Sequence, residues 1–279
     1  MLFSKMEGLG NDFIIIENIN DSIKTPYPTL AKKICDRHFG IGGDGLIVIA
    51  KSETSDIKFS IFNQDGSEPE MCGNGIRCFA KYLYDKKIVS KKKFTIETRA
   101  GEIIPEIFLT EKGDAAKIKV NMGKPILQPD KIVFNTDKKI ALSETIKTSE
   151  GDITLTAVSM GNPHAIIFCD NHEDNIIKKI GPVVEKHPLF PNGTNVEFVK
   201  IVSKNRLQVR VWERGVGETL ACGTGACAAL VASYLNNKTE NKATVRLPGG
   251  ELLVEWKQKD NCLYKTGPAA LIFEGVYLL

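Results

Sequence analysis

The sequence predicts an α/β (α+β) fold of two similar halves, each a mainly antiparallel sheet with one long apolar helix. Three observations carry this prediction. The strand patterns are short and numerous, only two segments show a long helical pattern, and the order of turns, strands and helix in the first half recurs about 150 residues later. An apolar helix of this kind is expected to be enclosed by its sheet.

The composition is that of an ordinary globular protein. The chain has 279 residues, of which 42% are hydrophobic and 25% are charged. The 37 basic and 34 acidic residues nearly balance, so no strong field would attract nucleic acid or an anionic membrane. No run approaches the roughly 18 apolar residues of a membrane helix, and no signal-like segment begins the chain. These features predict a cytoplasmic protein that binds neither nucleic acid nor membrane.

The individual elements follow from local patterns. Runs rich in β-branched residues indicate strands, and apolar residues at helical spacing indicate helices. The predicted strands are 13–17, 46–50, 58–62, 94–98, 117–121, 165–169, 197–201, 207–212, 243–247, 251–256 and 271–279, and the predicted helices are 28–37, 73–87, 175–180 and 223–235.

An internal repeat sets the predicted domains. Cys72-Gly-Asn-Gly opens the first long helix as Cys222-Gly-Thr-Gly opens the second, and further segments match in the same order. Chance similarity of glycine turns is the alternative, and the common order disfavours it. The predicted halves are 1–120 and 121–267, with the C-terminal strand, 268–279, joining the first half.

The cysteines point to the chemistry. Seven cysteines without a CxxC pair argue against a disulfide framework and against a metal site. Cys72 and Cys222 each precede a glycine-rich helix start, where the helix dipole and free N–H groups favour a thiolate and bind anions. Two thiols on opposite faces of one α-carbon could exchange its proton without a cofactor, which describes an amino-acid racemase or epimerase.

The motifs resemble the diaminopimelate epimerase family over essentially the whole chain. The matching segments begin at Phe62, Met71, Met160, Thr194, Trp212 and Ala221 and read FNQDGSE, MCGNGIRC, MGNPH, TNVEF, WERGVGET and ACGTG. The resemblance implies two pseudo-symmetric barrel-like halves, each around a central helix. It also implies interconversion of LL- and meso-2,6-diaminopimelate in lysine and peptidoglycan biosynthesis, without pyridoxal phosphate or metal, by a homodimer.

The same resemblance assigns the site residues. It implies that Cys72 and Cys222 are the catalytic pair and that His164 and Glu213 tune their proton affinities. One position departs from the pattern, because Gly45 stands where some members have a substrate-binding glutamine. The implied substrate-binding residues are Asn11, Asn63, Gly73, Asn74, Asn162, Asn195, Glu213, Arg214, Gly223 and Thr224.

Other functions remain open at this level. Both cysteines could be inert core residues, because buried cysteines are common. A related racemase of the proline racemase kind is a nearer rival, although such enzymes typically have histidine where this chain has Asn74. A thiol redox protein that cycles a Cys72–Cys222 disulfide and a non-catalytic amino-acid-binding module are the rivals from other classes.

Overall fold

A computed structural model describes residues 1–171 and 173–278. The chain divides into two compact units. The first consists of Met1–Asn121 and Thr266–Leu279, and the second of Met122–Lys265. The boundaries expected from the sequence, 120/121 and 267/268, lie next to these positions. Leu279, the end of the predicted last strand, is outside the described residues.

The first unit contains a seven-stranded sheet, a two-stranded hairpin and two helices. The sheet has the strand order β18-β1-β2-β3-β4-β5-β6, and β7 pairs with β8. The elements are β1 (Leu2–Gly8), β2 (Asn11–Glu17), α1 (Tyr27–Ile34), β3 (Gly45–Ala50), β4 (Ile57–Asn63), α2 (Gly73–Asp85), β5 (Ile96–Thr98), β6 (Gly101–Ile103), β7 (Glu106–Leu109), β8 (Ala115–Asn121) and β18 (Ala270–Val276).

The second unit repeats this plan with longer strands. Its sheet runs β17-β16-β15-β13-β12-β11-β10-β9, and β14 pairs with β13. The elements are α3 (Pro129–Ile132), β9 (Glu144–Thr148), β10 (Gly151–Ser159), β11 (Pro163–Phe168), α4 (Asp174–Glu185), β12 (Asn195–Ser203), β13 (Arg206–Glu213), β14 (Gly217–Thr219), α5 (Gly223–Leu235), β15 (Lys242–Leu247), β16 (Gly250–Lys257) and β17 (Cys262–Gly267).

The two sheets have the same internal topology. In the first unit β2–β3 and β4–β5 are parallel pairs within an otherwise antiparallel sheet. In the second unit β11–β12 and β13–β15 are the corresponding parallel pairs. The strand β12 therefore occupies the place of β3, and α5 the place of α2. The predicted pseudo-symmetric fold is thus observed, with two parallel pairs in each sheet.

The two long helices lie against the sheets of their own units. The helix α2 contacts β1, β2, β4, β8 and β18, and α5 contacts β10, β11, β12, β13, β15 and β16. Every residue of α5 from Gly225 to Ser233 is buried. This burial explains why α5 is composed almost entirely of small and apolar residues. None of the helices among the described residues is long and apolar enough to cross a membrane.

Several strands lacked a clear signal in the sequence. The strand β1 carries Lys5 and Glu7, which interrupt the apolar pattern, but Lys5 is buried and forms an ion pair with Asp12 of β2 at 2.6 Å. Since this pair offsets the charge, β1 can lie inside the sheet. The strands β6, β7, β9, β10, β14 and β17 and the short helix α3 were likewise not among the elements expected from the sequence.

Candidate active site

The first cysteine caps the start of α2. Cys72 has an extended backbone, and its Sγ accepts a hydrogen bond from the Gly75 N–H with an N···S distance of 3.5 Å. The first N–H groups of an α-helix have no acceptor within the helix. The N–H groups of Gly73 and Asn74 therefore point out of the helix start, in a position suited to an anion.

A buried arginine organises the residues around Cys72. Arg77 is fully buried in α2, and its Nη1 donates to Asn74 Oδ1 at 2.8 Å. The Nδ2 of Asn74 donates to Asn11 Oδ1 at 3.3 Å, and the Cys72 thiol lies 3.9 Å from the same oxygen. Three predicted site residues are thus connected to one buried cation. Desolvation lowers the pKa of Arg77, and the nearby Cys78, Cys72 and Glu7 oppose that effect.

Two further predicted positions lie at the ends of β3 and β4. Gly45 is opposite Asn63 in the antiparallel register, and Asn63 Nδ2 donates to Ser67 Oγ at 2.9 Å. A Cβ atom at Gly45 would lie 2.8 Å from the Phe62 carbonyl oxygen. In this backbone a larger residue would collide there, which gives a physical reason for the glycine.

The second cysteine caps α5 in the same way. Cys222 has an extended backbone, and its Sγ accepts from the Gly225 N–H at 3.3 Å. The Thr224 hydroxyl lies 3.4 Å from this sulfur. The N–H groups of Gly223 and Thr224 occupy the first turn, like those of Gly73 and Asn74 in α2.

A chain of hydrogen bonds connects Cys222 to the buried pair of His164 and Glu197. Thr224 Oγ1 accepts from Asn162 Nδ2 at 3.4 Å, and Asn162 Oδ1 lies 3.1 Å from His164 Nε2. His164 Nδ1 lies 2.6 Å from Glu197 Oε1, and both side chains are fully buried. The structure therefore brings the predicted residues Asn162, His164 and Thr224 together at Cys222.

The environment of Cys222 corrects one expectation. The helix start was expected to lower the thiol pKa. Burial instead raises the pKa of Cys222 well above its ordinary value, and the carboxylates of Glu213 and Glu197 raise it further. The Thr224 hydroxyl and the Gly225 N–H lower it but do not offset these effects. Desolvation of the thiolate outweighs the helix dipole at this position.

The remaining predicted residues surround the end of β13. Asn195 donates from Nδ2 to the Pro163 carbonyl at 3.0 Å and accepts from the Arg214 N–H at 2.9 Å. Its amide thus fixes the backbone beside His164 and at Arg214. Arg214 Nη1 donates to the Asn192 carbonyl at 3.0 Å, and Glu213 Oε1 accepts from the Thr219 hydroxyl at 2.5 Å.

Two residues at these sites were not among the predicted ones. Glu197 lies in the TNVEF segment of the family resemblance, where the sequence predicts only a strand. Glu197 stands between the apolar residues Val196 and Phe198, which are buried in the strand. A charged residue in such a position indicates a buried partner, because charged side chains are rarely buried unless paired. Arg77, buried within α2, gave the same signal.

The side chains at Cys222 are also of types that metals bind. One ligand-type atom from each of His164, Glu197 and Cys222 lies within 4.8 Å of the others. The sequence led us to expect no metal. In the structure the His164 imidazole and the Glu197 carboxylate are hydrogen-bonded to each other.

The fold is shared with a solved racemase-like structure of low sequence identity. The crystal structure of a probable proline racemase from Agrobacterium radiobacter superposes with a TM-score of 0.72 at 16% sequence identity, covering 100% of this chain and 93% of that one. At this identity the likeness defines the fold alone.

Sequence comparison gives the family itself. The family model for diaminopimelate epimerase matches residues 3–128 and 156–272. A diaminopimelate epimerase from Desulforapulum autotrophicum is 54% identical over 275 residues, covering 98% of this chain and 97% of that protein. One from Acetivibrio thermocellus is 50% identical, covering 99% and 98%. The chain belongs to the diaminopimelate epimerase family.

Proposed function

We propose that this protein interconverts LL- and meso-2,6-diaminopimelate by a two-base reaction without a cofactor. Membership of the family supports the substrate. The observation that carries the chemistry is that Cys72 and Cys222 cap equivalent helices in repeated units. A pair of inert core cysteines does not require this shared position at the start of two helices.

The proposed reaction transfers one proton at each face of the α-carbon. A thiolate at one cysteine removes the α-proton and becomes a thiol, while the other thiol gives its proton to the opposite face and becomes a thiolate. The configuration is inverted, and the two sulfurs have exchanged roles. Donors aimed at the α-carboxylate stabilise the negative charge that develops on it, and removal of one such donor typically slows a reaction about 100- to 1,000-fold.

The other site residues provide recognition in this proposal. Diaminopimelate carries an ammonium and a carboxylate at each end, so its pocket needs both donors and acceptors. Helix-start N–H groups bind the reacting carboxylate, Arg214 pairs with a carboxylate and Glu213 with an ammonium. The helix-start donors are Gly73, Asn74, Gly223 and Thr224, and the amides are those of Asn11, Asn63, Asn162 and Asn195.

Proton NMR in heavy water tests the activity directly. The protein is mixed with LL-diaminopimelate in deuterium oxide, and the α-proton signal is followed. We expect the signal to disappear as meso-diaminopimelate forms, and we expect no exchange with the Cys72→Ala/Cys222→Ala double variant. A protein that binds diaminopimelate without exchanging its α-proton would be a binding module, and a disulfide needed for activity would indicate redox function.

The proposal extends to the biological setting. A diaminopimelate epimerase serves lysine and peptidoglycan biosynthesis, and we place this one in the cytoplasm. We further propose a homodimer. The strand β18 ends its sheet, and Leu271, Ile272 and Phe273 on it are 45%, 52% and 47% exposed. An open edge with apolar side chains is a surface that pairs readily with a second copy.

Light scattering during size-exclusion chromatography tests this assembly. The protein is expected to elute with twice the chain mass, and Ile272→Lys, which puts a charge on the open edge, should elute as a monomer. A monomeric parent protein would refute the homodimer, and a dimeric Ile272→Lys variant would place its interface elsewhere.

A further inference from the structure

The two cysteines have unequal surroundings although their units repeat. His164 lies opposite Asn195 in the parallel pair β11–β12, and Phe13 lies opposite Gly45 in the equivalent pair β2–β3. Phe13 therefore holds the place of His164. By the same register, Ile47 on β3 holds the place of Glu197 on β12.

The glycines of the two helix starts show the same difference. A Cβ atom at Gly75 would lie 3.3 Å from the Ile47 side chain, whereas one at Gly225 would lie 2.5 Å from Glu197 Oε1. That Gly225 Cβ position is also 3.2 Å from Cys222 Sγ. The absence of a side chain at Gly225 thus lets the Glu197 carboxylate lie against the first turn of α5. In the first unit an apolar side chain fills that space.

His164 and Glu197 share a short hydrogen bond. His164 Nδ1 lies 2.6 Å from Glu197 Oε1, so one proton lies between these two atoms. On the other side of the ring, His164 Nε2 lies 3.1 Å from Asn162 Oδ1. The Glu197 carboxylate is the end of the pair that faces the start of α5.

The other groups around Cys222 either also disfavour its thiolate or favour the thiolate too weakly to offset burial and the Glu197 carboxylate. The carboxylate of Glu213, from β13, adds a second negative charge. The favourable contacts come from the Thr224 hydroxyl and the Gly225 N–H of α5. A thiolate on Cys222 would therefore be desolvated and would face two carboxylates.

We propose that Glu197 is the positioning residue that makes the two thiols unequal: through its contact with His164 and the start of α5 it keeps the proton on Cys222 when no substrate is bound. The role of this proton in epimerisation rests on the proposed function. In the resting protein Cys222 is then the proton donor, ready for a substrate whose α-proton is removed on the other face.

Alkylation of the thiols as a function of pH tests the proposal on the whole protein. The protein is treated with iodoacetamide between pH 6 and pH 11, and the modification of Cys222 and Cys72 is followed separately by mass spectrometry of their peptides. The midpoint of each profile reports thiolate formation and is independent of how accessible the sulfur is. We expect the midpoint of wild-type Cys222 above the value of about 8.5 for a free thiol.

The substitution Glu197→Gln removes the charge but keeps the shape. The glutamine amide can still donate to His164 Nδ1, so the imidazole keeps its place. We expect the Cys222 midpoint to fall by about one pH unit, a tenfold gain in thiolate, with the Cys72 midpoint unchanged. Glu197→Asp, which keeps the carboxylate, should retain a raised Cys222 midpoint. An unchanged Cys222 midpoint in folded Glu197→Gln overturns the proposal.

A second buried carboxylate in the same unit serves as the matched control. Glu185 accepts from Trp212 Nε1 at 2.7 Å and from the Gly215 N–H at 2.9 Å, outside the chain that ends at Cys222. Glu185→Gln should leave the Cys222 midpoint unchanged. If Glu197→Gln does not fold, the wild-type profile still decides, because a Cys222 midpoint at or below about 8.5 contradicts a retained proton.

Kinetics separate this proposal from the proposed function. With diaminopimelate, Glu197→Gln should lower kcat at least tenfold and change KM less than twofold, because the substrate contacts remain. An unchanged kcat would refute the role of the retained proton in turnover. Absence of α-proton exchange in the wild-type protein would refute the epimerase function, whereas the alkylation midpoints would still report on Glu197.

Discussion

Gly225 shows how one residue sets the chemistry of the second site. It donates its N–H to Cys222 Sγ, and its lack of a side chain leaves room for the Glu197 carboxylate. Gly75 holds the equivalent place in α2 and faces apolar side chains instead. The pair allows the same substitution to be compared in two different surroundings.

Gly225→Ala should destabilise the protein and reduce activity more than Gly75→Ala. Alanine favours a helix over glycine by up to about 1 kcal/mol. At Gly225 that gain is lost, because the new Cβ would lie 2.5 Å from a buried carboxylate oxygen. At Gly75 the closest atom is the end of an isoleucine side chain at 3.3 Å. Thermal unfolding of both variants measures the difference, and equal melting temperatures would contradict this account.

Arg214 offers a second test at the scale of the residue. Its guanidinium is held by the Asn192 carbonyl, and the Asn195 side chain holds its backbone N–H. Arg214→Lys keeps the charge but removes the planar fork that binds a carboxylate through two hydrogen bonds. We expect KM for diaminopimelate to rise about tenfold, which corresponds to about 1.4 kcal/mol of binding, with a smaller change in kcat. A KM equal to that of the wild type would argue against this role.

At the scale of the element, β1 and β2 are joined by a largely buried ion pair. Lys5 Nζ lies 2.6 Å from Asp12 Oδ2, and Arg37 Nη2 lies 2.7 Å from the other carboxylate oxygen. Burial by itself would raise the pKa of Asp12, but the hydrogen bonds from Arg37 and Lys5 and the charge of Lys5 bring it well below its usual range. The pair allows a charged strand to lie within the sheet.

Asp12→Asn should lower the free energy of unfolding by about 3 kcal/mol at pH 7, because it leaves Lys5 buried without its anion. The folded-state pKa of Asp12 is depressed, so its contribution is complete above the unfolded value of about 3.9 and is lost as the pH falls below it. Urea unfolding at pH 7 and pH 3 measures both effects. The gap between wild type and variant should narrow at pH 3, and a constant gap would contradict the coupling to Asp12.

The long helices show a second effect at this scale. Both begin with a cysteine cap and lie against several strands of their own unit. In the fifth position α2 has the buried cation Arg77, and α5 has the buried neutral residue Cys227. Cys72 therefore lies in a hydrogen-bonded network that ends at the Arg77 guanidinium, and Cys222 lies in one that ends at the Glu197 carboxylate.

At the scale of the whole molecule, the proposed reaction requires both units to act on one α-carbon. Mild oxidation should then join Cys72 to Cys222 and abolish activity, and a reductant should restore it. The joined peptides are identified by mass spectrometry after digestion, with the Cys72→Ser and Cys222→Ser variants as controls that cannot form the bond. Full activity after complete crosslinking would be incompatible with a two-thiol mechanism.

Sequence patterns alone predicted the repeat, most of the strands, the start of both long helices and the positions of Cys72 and Cys222. These features depend on local patterns: alternation and spacing of apolar residues, glycine turns and helix caps. The strand β1 was not predicted, because Lys5 interrupts its apolar pattern and is paired with Asp12 on the neighbouring strand.

The difference between the surroundings of Cys72 and Cys222 arises from packing and could not be predicted from the sequence. Glu197, His164 and Cys222 are far apart in the sequence, and they meet because β11, β12 and α5 pack together. Local reasoning predicted a lowered pKa at Cys222 from the helix start, and burial with two nearby carboxylates raises it instead. Desolvation and charge depend on every group that surrounds an atom in space, and a helix cap accounts only for the residues next to it in the chain.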